Sequence, residues 1–438
     1  MQTVDTLIHA RWIIPVEPAG VYQHHCLVVD QGRIIALLPS QDVPLHYTAT
    51  TQLHLDQHAL IPGLVNAHTH AAMNLLRGLA DDLPLMDWLN NHIWPAENTW
   101  VDPEFVRDGT ELAIAEMLRG GTTCFNDMYF FPDVTARVAA HYGMRASVGL
   151  IMFDFPTVWA SGPEEYMHKG LALHDDYRGS PLITTAFAPH APYTVSDAPL
   201  QDIISKAEEI DIPIHMHIHE TADEVSQGLA QYQQRPLRRL HQLGLLSPRL
   251  QAVHMTQLLD EEIALLAETG THVLHCPESN LKIASGFCPV DKLVKAGVNV
   301  AIGTDGAASN NDLDMFSEMR TAALLAKAVA QDATSVPASL ALRMATLNGA
   351  RALGLEEETG SLLPGKAADI TAVHLGEIES LPVYDPISQL VYATGRHQVT
   401  DVWVAGQQLL KDRVLTQMDE HALLAKAREW GNKIGSKS

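Results

Sequence analysis

Residues 60–73 read LIPGLVNAHTHAAM. The apolar run Leu60, Ile61, Leu64 and Val65 ends in His68-Thr69-His70, the pattern of a buried strand that delivers two imidazoles at its C-terminal tip. Residues two apart on a strand point to the same side, so both rings can face one ion. Neutral imidazoles on rigid backbone are common metal ligands. In a chain with 23 histidines such a pair says little alone, and further ligands must come from elsewhere.

From Leu60 onward, short apolar strands alternate with amphipathic helices, which points to βα units around a parallel sheet. Strands are expected at 60–66, 122–126, 145–151, 183–188, 213–217, 250–254, 271–275 and 298–304, with helices at 103–119, 198–209, 260–268, 314–330 and 337–353. Eight such strands over about 300 residues is the size of a (β/α)₈ barrel, whose site lies at the C-terminal strand ends. An open doubly wound sheet is the alternative, but no GxGxxG follows a first strand and no Walker loop is present. The flanks are β-like: 6–16, 26–30 and 33–38 at one end, then 370–373 after Pro364-Gly365-Lys366-Ala367-Ala368-Asp369 and 399–404 at the other. The two ends are expected to pair into one small β domain. The layout is 1–58 and 364–414 for a small β-sandwich, 59–363 for the barrel, and 415–438 for a helix and tail.

The length, 46% hydrophobic and 18% charged residues fit a globular protein with a large core. A net charge of −23 argues against nucleic acid or an anionic membrane as partner. Cys26, Cys124, Cys276 and Cys288 are widely spaced and form no CxxC, as in a protein with reduced thiols. No secretory signal or bilayer-length apolar run is evident, so a cytoplasmic location is expected.

Polar residues capable of chemistry fall where the strands stop. They are His68 and His70 after the first, His190 after the fourth, and His215, His217, His219 and Glu220 around the fifth. His254 ends the sixth, His275 the seventh, and Asp305 follows the eighth. Satisfied core histidines would be scattered instead. A zinc ion acting on water needs three or four N/O ligands and an open position. His68, His70 and His217 can supply imidazoles and Asp305 a carboxylate. Alternation puts 215, 217 and 219 on one side, so the choice of His217 needs support from outside the strand; His215 is expected as a deeper core residue and His219 beyond the strand.

Taken together, PGLVNAHTH, the HxxE from His217 to Glu220, His254, GTDGAASNN at 303–311 and PGKAADI at 364–370 resemble the amidohydrolase superfamily over nearly the whole chain. The resemblance implies a metal-dependent barrel with a small β-sandwich from both chain ends. It makes His68, His70, His217 and Asp305 the ligands of a divalent metal, most simply zinc, although iron and manganese accept the same set. It also makes Glu220, His254 and Asp305 the proton-handling groups. Two-metal relatives carry a carboxylated Lys at the end of strand four. Here that strand ends Ala188-Pro189-His190, which implies one metal.

The Glu three residues after a ligand His resembles the deaminase branch, in which metal-activated water attacks a ring carbon bearing an amino group while Glu220 protonates the adjacent ring nitrogen. The 83–97 segment, LPLMDWLNNHIWPAE, is most similar to deaminases of adenine nucleosides such as 5′-methylthioadenosine and S-adenosylhomocysteine. The similarity assigns Glu97 to the ribose diol and His190 to the purine. Trp88 and Trp94 either shape the apolar pocket or merely anchor a packed loop. Residues 154–178 hold no Arg before Arg178, so the uncharged methylthio nucleoside or adenosine is expected over S-adenosylhomocysteine. The competing expectations are a deaminase or chlorohydrolase of guanine or an s-triazine, and a non-catalytic scaffold barrel. A homodimer is the expected assembly.

Overall fold

The computed structural model describes residues 1–436, so positions 437–438 of the expected tail lie outside the described residues. Eight parallel strands stand side by side in sequence order: β1 (Leu64–Thr69), β2 (Thr122–Asp127), β3 (Arg145–Met152), β4 (Ile183–Pro189), β5 (Ile214–Ile218), β6 (Leu250–His254), β7 (His272–His275) and β8 (Val300–Ile302). Helices lie between successive strands, as right-handed parallel connections require. β1, β2 and β3 are buried at every position, which explains why they lack the alternation of a half-exposed strand.

Side chains close the ring between β8 and β1. Asn66 donates to Thr304 Oγ1 (2.7 Å) and accepts from Thr304 N–H (3.0 Å), and Asp305 N–H donates to the His68 carbonyl (3.0 Å). Gly303 permits this approach, because a Cβ there would stand 2.6 Å from the His68 nitrogen. A barrel of parallel strands with helices outside is therefore the observed architecture.

The chain ends form a second eight-stranded sheet, with Ile370–His374 between Val399–Val404 on one side and Tyr47–Pro62 on the other. Gln2–Ile13, Tyr22–Asp30 and Arg33–Pro39 continue it, and Gln407–Lys411 and Val414–Leu415 complete the far edge. Successive residues bury on opposite faces: Ile8 and Val29 in one apolar cluster, Leu7 and Val28 in another. Asp369, from the PGKAAD stretch, locks this sheet to the barrel floor. Its carboxylate takes two bonds from Arg145 of β3 (2.7 and 3.2 Å), and both side chains are at most 2% exposed.

Two expected elements are corrected. The stretch 60–66 is not one strand: Leu60, Ile61 and Pro62 finish the chain-end strand, and β1 begins at Leu64. The hand-over occurs at Gly63, whose N–H bonds Asp369 while Leu64 N–H bonds Gly121, so adjacent residues belong to different sheets. The helix expected at 337–353 is two, Ala338–Met344 and Leu347–Ala352, because the Ala345 carbonyl turns out to accept Val65 N–H (2.9 Å).

Candidate active site

His68 and His70, at and just beyond the end of β1, converge with His217 on β5 and Asp305 just after β8. One ligand atom from each lies within 4.8 Å of the others. The second nitrogen of each ring is engaged: His68 Nδ1 with His215 Nε2 (2.8 Å), His70 Nδ1 with the Met128 carbonyl (2.5 Å), and His217 Nδ1 with the His190 carbonyl (2.8 Å). These contacts turn all three Nε2 atoms inward, the outer-shell arrangement that fixes metal-ligand tautomers. Asp305 Oδ1 sits 3.3 Å from His68 Nε2 and 3.2 Å from His70 Nε2. Its Oδ2 accepts from the Ser279 and Ser309 hydroxyls (2.6 and 2.7 Å).

The group fits one divalent ion. His68 Nε2 is a buried atom without a hydrogen-bond partner, and four N/O donors around one point suit a metal of the zinc type. Burial would raise the Asp305 carboxyl, but the two imidazoles outweigh it and hold the group well below the usual carboxylate range. Burial alone would lower His70, but Asp305 lifts it to about 9, whereas burial takes His68 down to about 4. His217 is pushed well down, first by burial and then by the neighbouring rings, which leaves a neutral ligand.

Glu220 and His254 open onto the same cleft as His217 and Asp305. His254 Nδ1 donates to Asn280 Oδ1 (2.8 Å), which turns Nε2 into the cleft, 3.7 Å from Glu220 Oε1. The Glu220 carboxyl makes no protein hydrogen bond among the described residues, and burial raises its pKa. Its backbone is pinned instead: Glu224 takes the N–H groups of His219 and Glu220 (both 2.8 Å), and Thr256 Oγ1 donates to the Glu220 carbonyl (2.7 Å). Positive φ values at His219 (53°), His254 (73°) and Asp305 (61°) concentrate backbone strain at these strand ends.

The strap between β1 and the Pro103–Arg119 helix roofs the cleft with Leu85, Trp88, Leu89, Ile93 and Trp94, so both tryptophans line it. Glu97, on the strap's Trp94–Trp100 helix, also faces in and accepts from Tyr129. His190 stacks on Phe153 (ring centroids 4.9 Å apart), and burial drives it down to about 3, so it is neutral.

A family model for the amidohydrolase family matches residues 59–409. The chain belongs to the amidohydrolase family. Its relatives include the 5-methylthioadenosine/S-adenosylhomocysteine deaminases of Teredinibacter turnerae, 51% identical over 99% of both chains, and of Saccharophagus degradans, 52% identical over 98% of this chain and 97% of the relative. Among solved structures, an adenosine deaminase from Xanthomonas campestris with bound zinc is 56% identical, with a TM-score of 0.99 over 99% of both chains. An atrazine chlorohydrolase from Arthrobacter aurescens, complexed with zinc, superposes with a TM-score of 0.91 over 97% of this chain and 99% of that one at 22% identity, a likeness of fold alone.

Several polar groups of this amidohydrolase site escaped the sequence reading. Ser309 lay inside the GTDGAASNN stretch, four residues after Asp305, and Ser279 and Asn280 open the helix after β7. Tyr129 follows β2 by two residues, next to a strand end, Asn126-Asp127, from which the sequence reading singled out no group. His215 is neither spare nor a metal-facing donor: it braces His68 from below.

Proposed function

We propose that the chain hydrolyses the exocyclic amino group of adenine nucleosides, foremost 5′-methylthioadenosine and adenosine, giving the inosine analogue and ammonia. The carrying observation is that Glu220, His254 and Asp305 share one cleft with Glu97, an acceptor suited to a sugar diol. The names of the full-length relatives, and the adenosine deaminase with bound zinc at 56% identity, support the same reaction.

His68, His70, His217 and Asp305 would hold one divalent ion, for which zinc is the simplest choice, and when bound it would supply Lewis-acid activation of water. His254, its Nδ1 engaged by Asn280, would orient the water through Nε2 and accept its proton, assisted by Asp305. Glu220, its pKa raised by burial, donates to the ring nitrogen beside the attacked carbon and recovers a proton from the new hydroxyl as the carbonyl forms; the proton taken up by His254 passes to the amino group, which leaves as ammonia. Glu97 receives the ribose hydroxyls, and His190 and the two tryptophans bound the purine and its 5′ substituent.

No Lys or Arg lines the cleft among the described residues, and Lys282, beside the lining Ile283, is committed to Asp81. This favours an uncharged 5′ group over the zwitterionic homocysteine tail. The four buried, unbridged cysteines support a reducing compartment, the cytoplasm. The test is a screen of methylthioadenosine, adenosine, S-adenosylhomocysteine, guanine and an s-triazine, following the ultraviolet change on loss of the amino group. The expected result is kcat/KM highest for the first two and at least about tenfold lower for S-adenosylhomocysteine. Turnover of guanine or triazine alone would refute the proposal.

A further inference from the structure

We infer that Tyr129 is a specificity-determining positioning residue, and that the Tyr129–Glu97 pair, rather than Glu97 alone, is the receptor for a vicinal diol. The inference rests on the proposed adenine-nucleoside reading of the cleft.

The two residues come from separate elements, Tyr129 from the loop after β2 and Glu97 from the strap helix, and both line the cleft. They are 4% and 8% exposed, and the Tyr129 hydroxyl donates to Glu97 Oε1 at 2.7 Å. That bond uses the only proton the phenol has, so towards the cleft Tyr129 offers lone pairs alone. Glu97 Oε2 carries no protein hydrogen bond among the described residues. With Glu97 ionised, the pair therefore presents acceptors and no donor.

A cis-diol brings two O–H donors on adjacent carbons. One can satisfy Oε2 while the other meets the side where Oε1 and the phenol oxygen lie together. A 2′-deoxyribose brings one donor and leaves a buried acceptor unpaired, which lowers kcat/KM by roughly tenfold to a hundredfold. The discrimination needs Glu97 held in one orientation. Tyr129 provides that hold, because a carboxylate on a short helix would otherwise rotate to meet a single hydroxyl with either oxygen.

The experiment measures the ratio of kcat/KM for adenosine over 2′-deoxyadenosine in the zinc-loaded enzyme and in Y129F. The expected ratio falls about tenfold in Y129F, with the fall carried by KM rather than kcat. A loosened structure alone would depress both substrates together and leave the ratio in place, and an unchanged ratio overturns the inference. E97Q gives a second reading should Y129F fail to fold. With Tyr129 clamping the amide oxygen, the –NH₂ faces the diol and the ratio collapses. Without the clamp the amide turns over and the ratio survives, which again overturns it. E97A separates the two levels: if it leaves the ratio unchanged, Glu97 is not a ribose contact and the underlying reading fails. If E97A collapses the ratio while Y129F preserves it, only the role of Tyr129 is lost.

Discussion

Replacing Glu220 with glutamine isolates proton transfer from everything else the residue does. The Glu220 carboxyl makes no protein hydrogen bond among the described residues, and His254 Nε2 stands 3.7 Å from its Oε1. An amide of the same size thus breaks no internal bond, while the Glu224 and Thr256 contacts that hold this turn are to backbone and persist. The stability change should stay below about 1 kcal/mol, the scale of one lost neutral hydrogen bond. Loss of a positioned general acid lowers rates by roughly 10²- to 10⁴-fold. At about 1.36 kcal/mol per decade that is about 3–5 kcal/mol of transition-state stabilisation. The ligand set excludes Glu220, so metal content should remain at wild type. Three measurements decide it: initial rates by ultraviolet absorbance, metal analysis, and thermal denaturation. Turnover within tenfold of wild type, with metal intact, would remove Glu220 from the proton path.

Removing the ion with a chelator should abolish turnover but leave the circular dichroism spectrum folded, because Asn66–Thr304 and the Asp305 N–H bond to His68 close the barrel without it; loss of secondary structure would contradict this. Arg145→Met strands the buried Asp369 charge at the junction of barrel and chain-end sheet, and urea denaturation should show a loss of about 3–5 kcal/mol. A shift under about 1 kcal/mol would mean the pair is dispensable. Burial raises the Glu97 carboxyl to about 7, against the opposing pull of its Tyr129 hydrogen bond. The accepting carboxylate therefore forms as pH rises through that value. The KM for adenosine should climb below it, by up to roughly tenfold per pH unit, and a flat KM from pH 5 to 8 would refute the assignment.

What was legible in the sequence was whatever depended on strand parity and strand ends. His68 and His70 had to share a side, and Asp305 had to follow the last strand, once the alternating pattern was read. Parity could not separate His215 from His217, because both face the barrel axis; their depth along it decides, His215 lying beneath His68 and His217 level with it. Gly63 and Ala345 were misread for a related reason. Each marks a place where a backbone group pairs with a partner remote in sequence, Asp369 for one and Val65 for the other, and no local periodicity records that. Tyr129 carried no local signal, since a tyrosine after a strand is ordinary until Glu97, 32 residues earlier, is seen to meet it.

The division of labour among the buried acids follows from the partners each one has. Burial pushes every carboxyl here upward, so burial cannot by itself make one an ionised ligand and another a proton donor. Asp305 receives two serine hydroxyls and the Gly306 N–H and faces two imidazoles; it is pulled far down. Glu97 has one phenol and rests at about 7. Glu220 has no donor and stays raised. Donor count is not the whole account, however. Glu224 accepts two backbone N–H groups and is still lifted to about 8, mainly by burial and in part by neighbouring Glu220. The decisive feature of Asp305 is that its imidazole partners can carry positive charge, or share a cation with it. The cleft separates acid from ligand by assigning that positive charge to the β1 end and withholding it from the β5 turn, the same logic by which two carboxyls in one site take opposite roles.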